Sequence, residues 1–291
     1  MTDLARGSAP TPPRGPTQAP GDKQFVLNGP PVARPIGVVN WRGLWTLYVR
    51  EITRFYKVGT QTLAAPVVTT LLFFTIFSVA LGGDAHTVGD LPFALFLAPG
   101  LIMMSILQNS FANTSSSILI SKVQGNIVDV LMPPLSPAEL TVAFVAGGVT
   151  RGILVGLATG IALWVFVGLR IHDPVALVFF GVAASAMLSL LGLVGGIWAA
   201  KFDHIAAMTN FVVVPLSFLS GTFYSIGRLP EAWQIVAHLN PFFYTIDGFR
   251  YAFIGRLDSE LWLSVAVMIA INAALFTLVY RMFATGYKLK S

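Results

Sequence analysis

The amino-acid sequence predicts an all-α integral membrane protein: six transmembrane helices, an amphipathic interfacial helix before them, and re-entrant outer helices between spans five and six. Three observations predict it. Six apolar runs have membrane-spanning length, only 11% of residues are charged against about 25% in soluble domains, and Lys and Arg are distributed unequally about the runs. The runs cover 62–82, 92–112, 138–168, 174–200, 206–223 and 261–283. A hydrocarbon core about 30 Å thick needs ~20 apolar residues per helix. In lipid the backbone satisfies its own polar groups, so the runs are helices.

With the N-terminus placed in the cytoplasm, thirteen Lys and Arg fall inside, four fall outside, and Arg151 lies within a span. That excess is the positive-inside pattern and predicts two cytoplasmic termini. The net charge of +5 is therefore a topology signal rather than a nucleic-acid footprint. Asp84 and Asp90 sit in the first outer loop.

Residues 1–35 contain Pro10, Pro12, Pro13, Pro16, Pro20, Pro30, Pro31 and Pro35. Such a composition buries no core, and a disordered cytoplasmic tail is expected. Residues 36–291 form the membrane domain. From Trp41, the residues Leu44, Trp45, Tyr48, Ile52 and Phe55 follow at helical spacing on one face, with Arg50, Arg54 and Lys57 on another. An apolar face opposite a basic one suits a helix lying in the headgroup layer, entering the first span near Gln61.

The second run is apolar over 95–104 apart from Pro99-Gly100. Gln108, Asn109, Asn113, Thr114, Ser115, Ser116 and Ser117 then crowd its cytoplasmic half. Polar side chains at this depth either join helices or line a hydrated path. The third run holds 31 residues, ~46 Å as a helix, so it tilts, breaks or projects into the cytoplasm. Gly148, Gly152, Gly156 and Gly160 recur along one of its faces as a seam for close packing, within the chain or between subunits. Gly192 and Gly196 repeat the device in the fourth span. Arg151, costly in lipid, must face the bundle or a wet cavity. It is either a hydrogen-bonded packing residue, with Asn109, Asn113, Asn210 or lipid phosphate as partner, or a contact for an anionic substrate or gate. Between spans five and six the chain is broken by Pro230, Asn240-Pro241 and Gly248. Two short helices dipping into the outer leaflet would fit that texture and form an outer gate. Phe223, Tyr224, Phe242, Phe243 and Tyr244 there either face a path or form an interfacial aromatic belt.

Catalytic machinery is absent from the pattern. There is no cysteine, no G-x-x-x-x-G-K-[ST] loop and no H-E-x-x-H, and the four histidines are scattered singly. Asp and Glu fall in loops or at span ends, which argues against a proton relay. The energy for any pumping must come from a partner.

Three stretches, at 49–82, at 97–140, and at 202–230 with 239–253, resemble the ABC-2-type permeases, membrane subunits of bacterial ATP-binding-cassette exporters, and within them the inner-membrane transport permease group. The resemblance covers about residues 41–290. It implies two permease copies, a homodimer, working with two copies of a separate ATPase subunit in the bacterial inner membrane. ATP and Mg would sit on the partner, this chain binding no cofactor or metal. The cargo implied is hydrophobic or amphipathic: a drug, a lipid or a lipid-linked saccharide. A polysaccharide-export permease is the alternative within the superfamily, and an ATP-independent scaffold or channel the alternative of another class. By resemblance 124–132 is the coupling helix, with Gln124, Asn126, Ile127, Asp129 and Leu131 in the ATPase contact. Relatives usually carry a basic residue at the position of Gly125 and lack the Pro133-Pro134 pair. Candidates for the substrate path or gate are Asn109, Asn113, Arg151, Phe223, Tyr224, Asn240, Phe243 and Tyr244.

Overall fold

A computed structural model describes residues 37–57, 59–81, 87–88 and 91–289. The proline-rich segment 1–35 lies outside the described residues, as do Asp84 and Asp90. Helix α1 spans Trp41–Tyr56 and is capped by Asn40, whose side chain accepts from Gly43 N. Helix α2, Gly59–Leu81, is the first span. A two-residue antiparallel pairing of Thr87–Val88 with Leu91–Pro92 leads into α3, Phe93–Val123. The short α4, Ile127–Leu131, precedes α5, Pro137–Val167, and α6, Pro174–Trp198.

Span five is interrupted: α7 (Phe202–Met208) passes through a π-helical turn at Thr209–Val213 into α8, Val214–Leu219. A 3₁₀ turn at Ile226–Arg228, α9 (Glu231–Leu239) and α10 (Pro241–Ile254) follow before α11, Leu261–Thr285. Among the described residues, six helical stretches are long and apolar enough to cross a membrane, matching the six runs.

One of the predicted outlines changes. The second span does not end at 112: α3 continues as one helix through its polar positions to Val123. The third run is unbroken over 31 residues, so its length is taken up by tilt or projection. Its start is secured by a capping box: Ser136 Oγ accepts from Glu139 N, and Glu139 accepts from Ser136 N. Glu139 also accepts from Asn40 N, which ties the start of α1 to the start of α5.

Helix α3 is the most enclosed of the six spans, packed by α5, α6, α2 and α10. The glycine seam of α5 faces it. A Cβ on Gly148 would overlap Ser189 and Thr114, and one on Gly152 would overlap Ser110 and Ser185. Gly156 meets Ile106 of α3, while Gly160 has only Ile102 in ordinary contact at 3.7 Å. Gly192 and Gly196 of α6 press on Thr114 and Ser115 in the same way. The seam thus packs within the chain. One apolar cluster surrounds α3 from Phe93 to Phe111 with α10. A second joins Ile118 to Ile127, Val130, Phe144 and the end of α11.

Candidate functional site

Four residues of α3 spaced by four, Ser105, Asn109, Asn113 and Ser117, share one helical face and each bonds a neighbouring helix. Ser105 Oγ lies 2.7 Å from Thr70 Oγ1 of α2. Asn109 Oδ1 accepts from Arg151 Nη2 of α5 at 3.3 Å. Asn113 accepts twice from Arg54 Nη2 of α1, at its backbone oxygen (2.6 Å) and at Oδ1 (3.0 Å). Ser117 Oγ donates to Glu51 Oε1 of α1 at 2.8 Å. A parallel row serves α6: Ser110 Oγ meets Ser185 Oγ at 2.6 Å and Thr114 Oγ1 donates to Ser189 O at 2.8 Å. The polar half of the second span therefore joins helices.

Glu51 is the residue that sequence reasoning missed. It is wholly buried although it lies before the first span, and Arg50 and Arg54 each reach it at 3.3 Å. Gly147 of α5 lets α1 approach there, since a Cβ would fall 2.7 Å from Glu51 Cβ. The faces of α1 are accordingly redrawn. Leu47, Glu51 and Phe55 are buried, Trp41 and Trp45 are exposed, and Arg54 turns inward. The signal was present in the sequence as Glu51 beside Arg50 and three residues before Arg54, read there only as part of a basic face.

The second feature is α4. Its inward residues are Ile127 and Val130, both 4% exposed, with Leu131 half-buried against the same cluster. Ile127 therefore belongs to the core and not to a contact surface, a correction that follows from helical spacing over so short a helix. The outward side carries Gln124, Asn126 and Asp129, together with the apolar Val123, Val128 and Met132. Gly125 adopts φ +75°, a left-handed conformation in which a lysine or arginine would be strained. The Pro133-Pro134 segment accepts from Asn40 Nδ2 at Pro134 O, so the α4 loop is tied to α1 and α5.

Of the helices before span six, α10 is enclosed by the chain, while α9 leaves Trp233, Ile235, Val236 and Leu239 exposed. Phe223, Phe242, Phe243 and Tyr244 are buried, and Phe223 packs 4.4 Å from Phe77. Within this chain they neither face an open path nor form a belt, because α10 packs against α6, α3 and α11. Half-buried Tyr224 donates to Leu219 O. Asn240 caps α10 through Phe242 N and donates to Leu216 O at 2.8 Å, joining α10 to α8. Arg250 is buried 3.8 Å over the Phe96 ring and donates to Gly221 O at 2.6 Å. Asp247 accepts from Asp258 N and from Ser259 N and Oγ. Burial raises the pKa of its carboxyl, and those hydrogen bonds oppose the rise.

Residues 42–254 match the family model described as ABC-2 type transporter. The chain belongs to the ABC-2 type transporter family. Over 252 residues this ABC-2 permease is 37% identical to the inner membrane transport permease YadH of Escherichia coli K12, covering 86% of this chain and 98% of that protein. It is 23% identical over 238 residues to nodulation protein J of Neorhizobium galegae, covering 81% and 89%. The match to nodulation protein J of Rhizobium leguminosarum bv. viciae is 24% over 238 residues. The chain is thus a multi-pass inner-membrane permease subunit of an ABC transporter, and its family implies an ATPase partner.

Proposed function

We propose that this permease is the membrane half of an exporter. It moves a hydrophobic or amphipathic molecule out of the cytoplasm, two copies pairing with two copies of a separate ATPase that holds ATP and Mg. Both termini face the cytoplasm, as the Lys and Arg distribution favours. The observation that carries the reading is α4. It presents an outward surface, Gln124, Asn126, Val128, Asp129 and Met132, on a base tied to α1, α5 and the end of α11. Such a base transmits a push as a rigid body, because every element it touches is packed in the same cluster.

Closure of the ATPase pair would displace α4. The displacement reaches α3 through Ile118 and α11 through Phe283, both members of that cluster. Spans one and five are the least covered by the rest of the chain, with Leu72, Ile76 and Phe211 outward, and offer the second copy its contact. The α9–α10 pair acts as an outer gate, its helices re-entering the membrane without crossing. Asn240 and Arg250 hinge it to the end of span five.

The test is ATP hydrolysis by the permease–ATPase complex in proteoliposomes, with lipids and apolar drugs added. Stimulation by at least one amphiphile, with its ATP-dependent appearance on the far side, is expected. Equal ATP hydrolysis with and without every amphiphile, and no movement of any, would sink the export reading.

A further inference from the structure

Around Asn109 and Asn113 the charges do not balance. Among the described residues, Arg50, Arg54 and Arg151 stand against Glu51 alone, whose oxygens already accept from Arg50, Arg54 and Ser117. The two amide oxygens are likewise occupied, each by one guanidinium. Three buried donors have no partner: Arg54 Nε, Arg151 Nε and Nδ2 of Asn113, a residue with no exposed surface. Buried polar atoms are nearly always satisfied, and ionised groups in a membrane pair or mark a pathway. Every orphaned atom in this cluster is a donor, so what it lacks is an acceptor carrying negative charge.

We propose that Arg54 and Arg151 bind the anionic, phosphate-type head of the amphipathic molecule that the permease moves. This rests on the export reading above and narrows its cargo to amphiphiles with negatively charged oxygens. Guanidinium is the side chain suited to that work, with planar donors matched to phosphate and carboxylate oxygens. Arg54 and Arg151 are only half-buried, so a headgroup can reach both from the flank where α1 meets α3 and α5. Asn109 and Asn113 position the two guanidinium groups one helical turn apart.

The test uses the full-length permease in nanodiscs, with bound lipid read by native mass spectrometry. The probes are phosphatidylglycerol, diacylglycerol, which has the acyl chains without a phosphate, and inorganic phosphate. Wild-type protein should retain phosphatidylglycerol about tenfold over diacylglycerol, the scale of one charge-assisted contact pair. Arg151→Gln should abolish that preference. Asn109→Asp supplies a carboxylate to Arg151 in place, so it should also abolish the preference while keeping or raising the melting temperature. Competition by millimolar inorganic phosphate would identify the phosphate group alone as the ligand. Retention of phosphatidylglycerol against phosphate would identify head and chain together, and either result supports the site. Equal retention of the two lipids by wild type, or an unchanged preference in folded Asn109→Asp, overturns it. In the ATPase complex, phosphatidylglycerol should stimulate hydrolysis in wild type and not in Asn109→Asp. Equal stimulation of both overturns the cargo role. Absence of stimulation by any amphiphile counts instead against export itself.

Discussion

Glu51 and Arg54 show how much a single buried carboxylate organises. Arg54 bridges Glu51 and Asn113, so α1 is bound to α3 through charge-assisted contacts. Removing one partner of a buried pair leaves the other charge uncompensated. Because Arg54 keeps part of its side chain exposed, Glu51→Gln should cost about 2 kcal/mol, below the 3–5 typical of fully buried pairs. Denaturant or thermal unfolding in detergent measures it. The glycines of α5 give a graded comparison. Gly152→Val forces a side chain into Ser110 and Ser185 and should destabilise by about 1–3 kcal/mol. Gly160→Ala has space and should stay within about 0.5 kcal/mol of wild type. Equal effects at the two positions would contradict the seam as described.

Among the elements, α5 begins where the chain is most tightly determined. Ser136 caps it, Pro137 opens it and Glu139 closes the box while bonding Asn40. Ser136→Ala should cost about 1 kcal/mol, read from the melting temperature. It should also weaken ATPase coupling, since the same loop supports α4. The six spans, the start of α5 among them to within one residue, were readable in the sequence because apolar length is a local property. The inward turn of Arg54, the burial of Ile127 and the enclosure of Phe242 and Phe243 were not, because each depends on which neighbour a short amphipathic helix meets. Asn109, Asn113 and Ser117 were legible as polar positions, yet only the structure shows the different partners along their four-residue spacing with Ser105.

At the scale of the whole molecule, the Lys and Arg distribution predicts the topology. The chain has no cysteine, so single cysteines introduced at exposed Val128 and exposed Trp262 report sidedness directly. A membrane-impermeant maleimide added to intact cells should label the cysteine at 262 and spare the one at 128. The reverse pattern would invert the orientation.

If a separate ATPase drives this permease through α4, co-purification of the two subunits reads that contact. Val128→Asp with Met132→Asp places charge on the outward side of α4 and leaves its buried Ile127 and Val130 untouched. The doubly substituted permease should insert and melt like wild type but lose the ATPase on purification, and with it amphiphile-stimulated hydrolysis. A stable complex with full stimulation after both substitutions would contradict docking through α4.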